Sequence, residues 1–219
     1  MSATPMTPVT PLASLGAGFS NEAFGSQAVF RAVLQALSHP GRTVAVEHDA
    51  QTPAVGHAAS AAVLLALLDS DCTLWLSPRL AAGDAGAWLR FHTGCTLVSD
   101  PTQARFLWLA QGDEWPTLGS LALGTDVYPD QSATCVVDIP RATVTAADAI
   151  DAWQLRGPGI QEMAALQVDG LPDDFETQWS ANHAAFPRGV DLLLGTPGHI
   201  VGLPRTTRAT RSAAALQEA

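Results

Sequence analysis

One stretch of the chain, His57 to Leu68, constrains the fold more than any other. It is made almost entirely of alanine, valine and leucine, and we predict that it forms a helix. A helix that is apolar on nearly every side has no face to present to water, so other elements must enclose it. The stretch is too short to cross a bilayer, which needs about 20 apolar residues. We therefore expect this helix to be buried inside a globular domain.

Helical segments alternate with short apolar runs in the first half of the chain, and strands predominate in the second half. We predict strands at 43–46, 72–76, 97–98, 105–110, 133–139, 151–155, 164–168, 190–194 and 200–203. We predict helices at 57–68, 81–91, 116–123 and 175–185, with a further helix that Ser26 caps and that ends at Ser38. This order is typical of a layered α/β or α+β domain with a mixed sheet.

The length of 219 residues favours one domain with a sizeable core. Residues 1–18 are rich in proline, threonine and serine and carry no charged side chain, so we expect a flexible tail. Residues 208–219 are expected to be a frayed helix or disordered. The N-terminus lacks the positive and apolar regions of a signal peptide, which favours a cytoplasmic location.

The formal net charge is −10, which is unfavourable for binding nucleic acid or an anionic membrane. All 11 basic residues are arginine, so the chain cannot supply a lysine Schiff base. The cysteines, Cys72, Cys95 and Cys135, are odd in number and lie far apart in apolar runs. They fit neither a disulfide framework nor a metal site, and we interpret them as buried structural thiols.

Motifs that would identify an enzyme by themselves are missing from the sequence. There is no Gly-x-Ser-x-Gly elbow and no Walker A motif, and the glycines at 157 and 159 do not extend to a dinucleotide fingerprint. The six histidines include no close pair of the i, i+4 type, so a zinc site is not expected. His92 ends a predicted helix, where the helix dipole favours histidine, and a binding role is an equal alternative.

Three turns in the last third of the chain place an arginine beside glycine or proline, and they contain Arg156, Arg188 and Arg205. Such turns are stiff, and one that adds backbone N–H groups and hydroxyls to a guanidinium could hold an anion. The alternative for each is an ordinary strand end with a solvated arginine. We expect the three arginines to come together at one edge of the domain, because strand ends in layered α/β domains share edges.

An ordered set of short motifs resembles the PhnH family, the H subunit of the bacterial carbon–phosphorus lyase system. The motifs are 29–33 (VFRAV), 39–41 (HPG), 73–76 (TLWL), 89–93 (LRFHT), 124–125 (GT), 155–160 (LRGPGI), 186–192 (FPRGVDL) and 203–207 (LPRTT). The resemblance covers residues 19–208 as a single domain and leaves 1–18 and 209–219 as tails.

This resemblance implies a homodimer with a three-layer α/β/α sandwich like that of the pyridoxal-phosphate (PLP)-dependent transferases, but without PLP or another cofactor. It also implies assembly with the G, I, J and L subunits. With G, I and L, the H subunit supports transfer of a phosphonate onto the ribose of ATP, with release of adenine. The resemblance implies no catalytic residue and no metal ligand for this chain.

Two roles remain open for the chain: a non-catalytic assembly subunit, or a direct contributor to the site for ATP or phosphonate. The candidate residues for binding or for an interface are Arg31, Arg90, His92, Thr93, Thr125, Arg156, Gly157, Gly159, Arg188, Arg205, Thr206 and Thr207.

Overall fold

The computed structural model describes residues 15–146 and 149–212. Within these ranges the helices are α1 (Glu22–Ser38), α2 (Ala58–Leu67), α3 (Pro78–Ala81), α4 (Ala85–Thr93) and α5 (Phe175–Ala184). The strands are β1 (Val44–Ala45), β2 (Thr73–Leu76), β3 (Thr96–Leu97), β4 (Phe106–Leu109), β5 (Thr134–Asp138), β6 (Arg141–Val144), β7 (Trp153–Arg156), β8 (Ala164–Asp169), β9 (Asp191–Gly195), β10 (His199–Leu203) and β11 (Arg208–Arg211).

Seven of these strands form a mixed sheet in the order β1-β10-β9-β5-β4-β2-β3. Strands β9, β5, β4, β2 and β3 run parallel to one another. At one side of the sheet β10 pairs antiparallel with β9, and β1 pairs antiparallel with β10. The register pairs Thr134 with Asp191 and Asp138 with Gly195, so β5 and β9 begin and end together. The carboxyl ends of β2, β4, β5 and β9 therefore lie along one edge of the sheet.

The two faces of the mixed sheet pack against different layers, because side chains alternate along a strand. Val136 and Leu193 face a core formed with α1, α2 and α4. Cys135 and Leu192 face a second core, whose other side is the antiparallel sheet β11-β7-β8-β6 together with α5. The expected α/β domain with a mixed sheet is confirmed. The second covering layer combines a sheet with α5, whereas a purely helical layer was expected.

The central helix is enclosed as its composition predicts, since residues 59–64 of α2 are all buried. The antiparallel pair β7–β8 and the hairpin β9–β10 also form as predicted. No helix in the described part of the chain is long and apolar enough to cross a membrane.

Several boundaries differ from the predictions for local reasons. The helix α1 begins earlier, because Asn21 is its cap and accepts a hydrogen bond from the amide of Phe24, which leaves Ser26 inside the helix. The predicted helix at 116–123 is a single 3₁₀ turn, Leu118–Ser120, and the predicted helix at 81–91 is replaced by α3 and α4.

At the termini, part of each expected tail belongs to the fold. The carbonyl oxygen of Gly16 accepts hydrogen bonds from Trp88 and His92, which ties the N-terminal segment to α4. Arg208–Arg211 form β11, paired with β7, where a frayed helix or disorder was expected. The remaining tail residues, 1–14 and 213–219, lie outside the described residues.

Candidate functional site: an arginine knot and a cleft at opposite sheet edges

The guanidinium of Arg205 is the centre of a hydrogen-bonded group that we call the arginine knot, formed by Arg205, Asp191, Ser132 and the carbonyl oxygens of Pro129 and Pro187. Arg205 forms an ion pair with Asp191 and also donates to the hydroxyl of Ser132. Its Nη1 donates to Pro129 and Pro187 over 2.9 and 3.3 Å. The Arg205 side chain is only 12% exposed, so its donors are used within the protein and not presented to a ligand.

Arg188 lies beside the knot but remains half exposed. Its Nε is 3.4 Å from Oδ1 of Asp126, which is itself exposed. The amide of Gly189 donates to the carbonyl of Leu123, so the turn at 186–189 is joined to the loop at 123–131. This loop contains Thr125, whose hydroxyl accepts from the amide of Tyr128 and shapes the turn.

The turn that contains Arg156 touches the turn that contains Arg205 through the backbone, but the two guanidinium groups do not share partners. A Cβ on Gly157 would lie 2.8 Å from the carbonyl oxygen of Thr206, so glycine permits these two turns to touch. The guanidinium of Arg156 instead donates within its own turn, to the carbonyl oxygen of Glu162 and to the sulfur of Met163. Arg188 and Arg205 therefore both connect the loop at 123–131 with the turn at 186–189. Arg156 makes its contacts elsewhere.

Other glycine and threonine candidates also hold backbone segments together. Gly159 has φ +82°, and a Cβ there would lie 2.1 Å from the carbonyl oxygen of Ser38, so only glycine fits against the end of α1. The carbonyl of Thr207 accepts from the indole of the buried Trp179, and the side chain of Thr207 is also buried. Thr206 is half buried at the turn that Gly157 approaches.

The candidates on the helices divide into structural and exposed positions. His92 Nε2 donates to the carbonyl oxygen of Gly16 over 2.9 Å, and the Thr93 hydroxyl donates to the carbonyl oxygen of Leu89 at the end of α4. These contacts give both residues a structural role at the helix terminus. Arg31 and Arg90 are exposed on the outer sides of α1 and α4.

A second group of polar side chains lies at the opposite end of the parallel strands, in a cleft of about 350 Å³ that we call the sheet-edge cleft. It is bounded by the loop before α2, by the segments that follow β2 and β4, and by the last residue of β5. Its polar lining consists of His57, Arg79, Gln111 and Asp138. In open α/β sheets, ligands bind outside the carboxyl ends of the parallel strands, which is where this cleft lies.

Asp138 is the buried acid of this cleft, with 3% of its surface exposed. One carboxylate oxygen accepts from the amide of His57 over 2.9 Å, and the other accepts from the indole of Trp108 over 3.2 Å. Burial raises the pKa of Asp138, although the polar groups around the carboxylate oppose the rise. The carboxylate also stabilises the start of α2, because it binds the amide of the N-cap residue, His57, whose own side chain forms no cap hydrogen bond.

The imidazole of His57 is oriented by the backbone. Its Nδ1 is 3.0 Å from the carbonyl oxygen of Gly195 and 3.9 Å from Asp138. Since a carbonyl oxygen can only accept, Nδ1 carries the proton and Nε2 is the ring nitrogen available to a ligand. At the mouth of the cleft, Arg79 is held by Asp113 at 3.1 Å and by the carbonyl oxygen of Gln111 at 3.0 Å.

This group of residues was not predicted from the sequence. One signal was present: Asp138 ends an apolar, β-branched run, and His57 opens the apolar helix, so both are polar groups at the ends of buried elements. What the sequence could not supply is the order of the strands, which places the ends of β2, β4, β5 and β9 next to one another.

Comparisons with known proteins agree with the short motifs noted in the sequence. The sequence model of the family described as bacterial phosphonate metabolism protein (PhnH) matches residues 17–210. The chain is 38% identical, over 196 residues, to the alpha-D-ribose 1-methylphosphonate 5-triphosphate synthase subunit PhnH of Rhizobium meliloti (strain 1021), covering 88% of this chain and 94% of that protein. It is 34% identical, over 185 residues, to the putative C-P lyase subunit protein HtxG of Stutzerimonas stutzeri, covering 83% and 84%. Because the family match spans nearly all of the described fold, the chain belongs to the PhnH family of bacterial phosphonate metabolism proteins.

Proposed function

We propose that this chain is a subunit of a phosphonate-processing complex of the kind named in its relatives, a ribose 1-methylphosphonate 5-triphosphate synthase or C-P lyase, and that its arginine turns serve assembly and not catalysis. The observation that carries this proposal is the arginine knot. Arg205 donates to Asp191, Ser132 and two backbone carbonyls, so the guanidinium of one of the three predicted anion-binding turns stabilises the fold.

The surface next to the knot has the composition of an interface. Val127, Tyr128 and Phe186 are 75, 56 and 60% exposed on the two segments that the knot joins. Arg188 lies two residues after Phe186 and forms an ion pair with Asp126, which precedes Val127. Exposed aromatic and aliphatic side chains around an arginine are typical of residues that bind another protein. Because the knot holds both segments in place, this surface should be ordered before a partner binds.

The partners follow from the family. We propose that the chain forms a homodimer and assembles with the G, I, J and L subunits, and that the complex transfers a phosphonate to the ribose of ATP and releases adenine. Light scattering of the purified chain at micromolar concentration should give a dimer; a stable monomer would contradict this part.

We also propose that the mixed sheet is related to the PLP-dependent transferase fold and that the chain does not bind PLP. The chain has no lysine to form an internal aldimine, so its residues do not fit covalent PLP. Borohydride treatment after incubation with PLP should leave every side chain of this protein unlabelled.

The assembly role is tested by Arg188→Ala and Phe186→Ser, with Arg141→Ala as the control. Arg141 lies on β6, away from the knot, and like Arg188 it forms an exposed ion pair with an aspartate, Asp169. The two test variants should keep the thermal stability of the wild type and co-purify poorly with the other subunits, whereas the control should co-purify normally. Normal assembly with reduced adenine release would instead favour the second candidate, a direct contribution of Arg188 to the ligand site.

A further inference from the structure

The sheet-edge cleft contains groups that the assembly role does not use. His57, Arg79 and Asp138 all line it, yet the arginine knot and the exposed surface beside it lie at the other end of β5 and β9. A buried carboxylate beside an imidazole and an arginine in a concave site is a combination that commonly binds a ligand.

We propose that the sheet-edge cleft binds a small tetrahedral oxyanion of the phosphonate or phosphate class, with Arg79 and His57 as the groups that contact its oxygens. The choice of phosphonate rests on the proposed function; the oxyanion chemistry rests on the cleft itself. The volume of about 350 Å³ is at the lower end of the range for small-molecule sites, about 300–1,000 Å³, which fits a compact ligand.

His57 supplies one contact to this anion. With Nδ1 donating to the Gly195 carbonyl, Nε2 is the ring nitrogen that remains for the ligand, and it can accept the O–H of a singly protonated phosphonate or phosphate. Asp138 lies 3.9 Å from Nδ1 on the buried side of the ring. The carboxylate oxygens are occupied by the His57 amide and the Trp108 indole.

Arg79 supplies the second contact. Asp113 binds Nε, and the carbonyl oxygen of Gln111 binds Nη1, which fixes the guanidinium plane at the mouth of the cleft. The side chain is still 63% exposed, so part of the fork is open to solvent and to a ligand. Planar guanidinium groups match the geometry of phosphate and phosphonate oxygens. In a chain of net charge −10, a local cation such as Arg79 favours the binding of an anion.

The loop over the cleft is held rigidly enough to keep this arrangement. Gly56 has φ +97°, and a Cβ there would lie 2.3 Å from the ring of Trp108, so the loop before α2 rests directly on the indole. The same indole donates to Asp138, which links the loop, the acid and the helix start.

The test titrates the full-length chain with methylphosphonate, inorganic phosphate and ATP by calorimetry, and follows the ¹⁵N resonances of the histidine rings. We expect saturable binding of at least one probe and a shift of the His57 Nε2 resonance. Arg79→Gln should weaken that binding at least tenfold, about 1.4 kcal/mol, and Arg79→Lys should restore part of it. Arg141→Gln is the matched control and should bind as the wild type does.

Comparison of the probes identifies the source of the oxyanion. Tightest binding of methylphosphonate indicates the phosphonate substrate, and tightest binding of ATP indicates its terminal phosphate. Absence of saturation by every probe up to about 10 mM, a range that corresponds to negligible affinity, would overturn the proposal, as would an Arg79→Gln variant with unchanged affinity. Arg79→Gln changes a largely exposed side chain, so the variant should fold and its affinity decides the question.

The failure of this inference can be distinguished from failure of the assembly role. A chain that co-purifies with the other subunits but binds none of the probes leaves the subunit role intact and removes the cleft site. A chain that binds methylphosphonate through Arg79 but joins no other subunit does the reverse.

Discussion

Replacing Arg205 by methionine removes the centre of the arginine knot while retaining most of the aliphatic volume. The change leaves the carboxylate of Asp191, the hydroxyl of Ser132 and the carbonyls of Pro129 and Pro187 without their shared donor. Breaking a buried ion pair from one side costs about 3–5 kcal/mol. Because the two side chains are 12 and 22% exposed, we expect the lower end of that range, about 3 kcal/mol.

For a chain of this length, about 3 kcal/mol corresponds to a fall in Tm of about 6–12 °C. Urea unfolding and calorimetry of Arg205→Met should both show the loss. The matched control is Arg188→Met, whose ion pair with Asp126 is largely exposed and should contribute less than about 1 kcal/mol. The double variant Arg205→Met/Asp191→Asn should be more stable than the single one, since it removes the unpaired carboxylate. A loss below about 1 kcal/mol for Arg205→Met would refute a structural role for the knot and return Arg205 to the ligand candidates.

Three further predictions concern single positions. Gly159→Ala should destabilise the protein by about 2 kcal/mol, because its φ of +82° and the carbonyl at the end of α1 exclude a Cβ, while Gly198→Ala, with open space around it, should be nearly neutral in urea unfolding. Burial raises the pKa of Asp138 in the folded state above its unfolded value, so its contribution to stability is present at low pH and is lost as pH rises through the folded pKa. Asp138→Asn should therefore gain stability relative to the wild type as pH rises above the unfolded pKa of about 3.9, and a stability difference that is flat with pH would contradict this. Burial raises the pKa of Cys135 to about 12, so iodoacetamide at pH 8 should leave Cys135 unmodified in the folded chain and react first with the partly exposed Cys72, as peptide mass mapping can check.

The pattern of apolar residues was enough to predict most of the mixed sheet. Runs such as 133–139 and 190–194 are short, β-branched or leucine-rich, and they form β5 and β9 in the buried centre of the sheet. The helix α2 was predictable for the same reason, since its lack of a polar face permits only a buried position. These are signals that depend on local composition alone.

The elements that were missed depend on distant partners. The strand β6 reads as an exposed polar segment and is a strand because it pairs with β8. β11 follows the same logic, since Arg208–Arg211 have little apolar content and are ordered by pairing with β7. Neither strand was predicted, because its pairing partner, and not its local composition, orders it.

For the site, the sequence located arginine turns but could not tell which guanidinium groups find partners inside the protein. Arg205 meets Asp191 because β10 returns antiparallel to β9, and this depends on topology. His57 and Asp138, 81 residues apart, meet across the carboxyl ends of the sheet in the same way. Neither pair has a spacing that a motif search would detect.

The positions of the knot and the cleft on the same two strands separate the two proposed roles. Asp191 begins β9 and Ser132 precedes β5, whereas Asp138 and Gly195 end these strands. Four steps of about 3.3 Å along a strand place the two sites about 13 Å apart, on opposite edges of one rigid sheet. Arg188 therefore cannot contact an anion held by the groups at the carboxyl edge. Arg188 and Arg79 share no partner at this separation. The double variant should therefore show the assembly defect of the Arg188 variant and the binding defect of the Arg79 variant, each unchanged in size. A non-additive result would mean that assembly and binding use one surface, contrary to the arrangement of the strands.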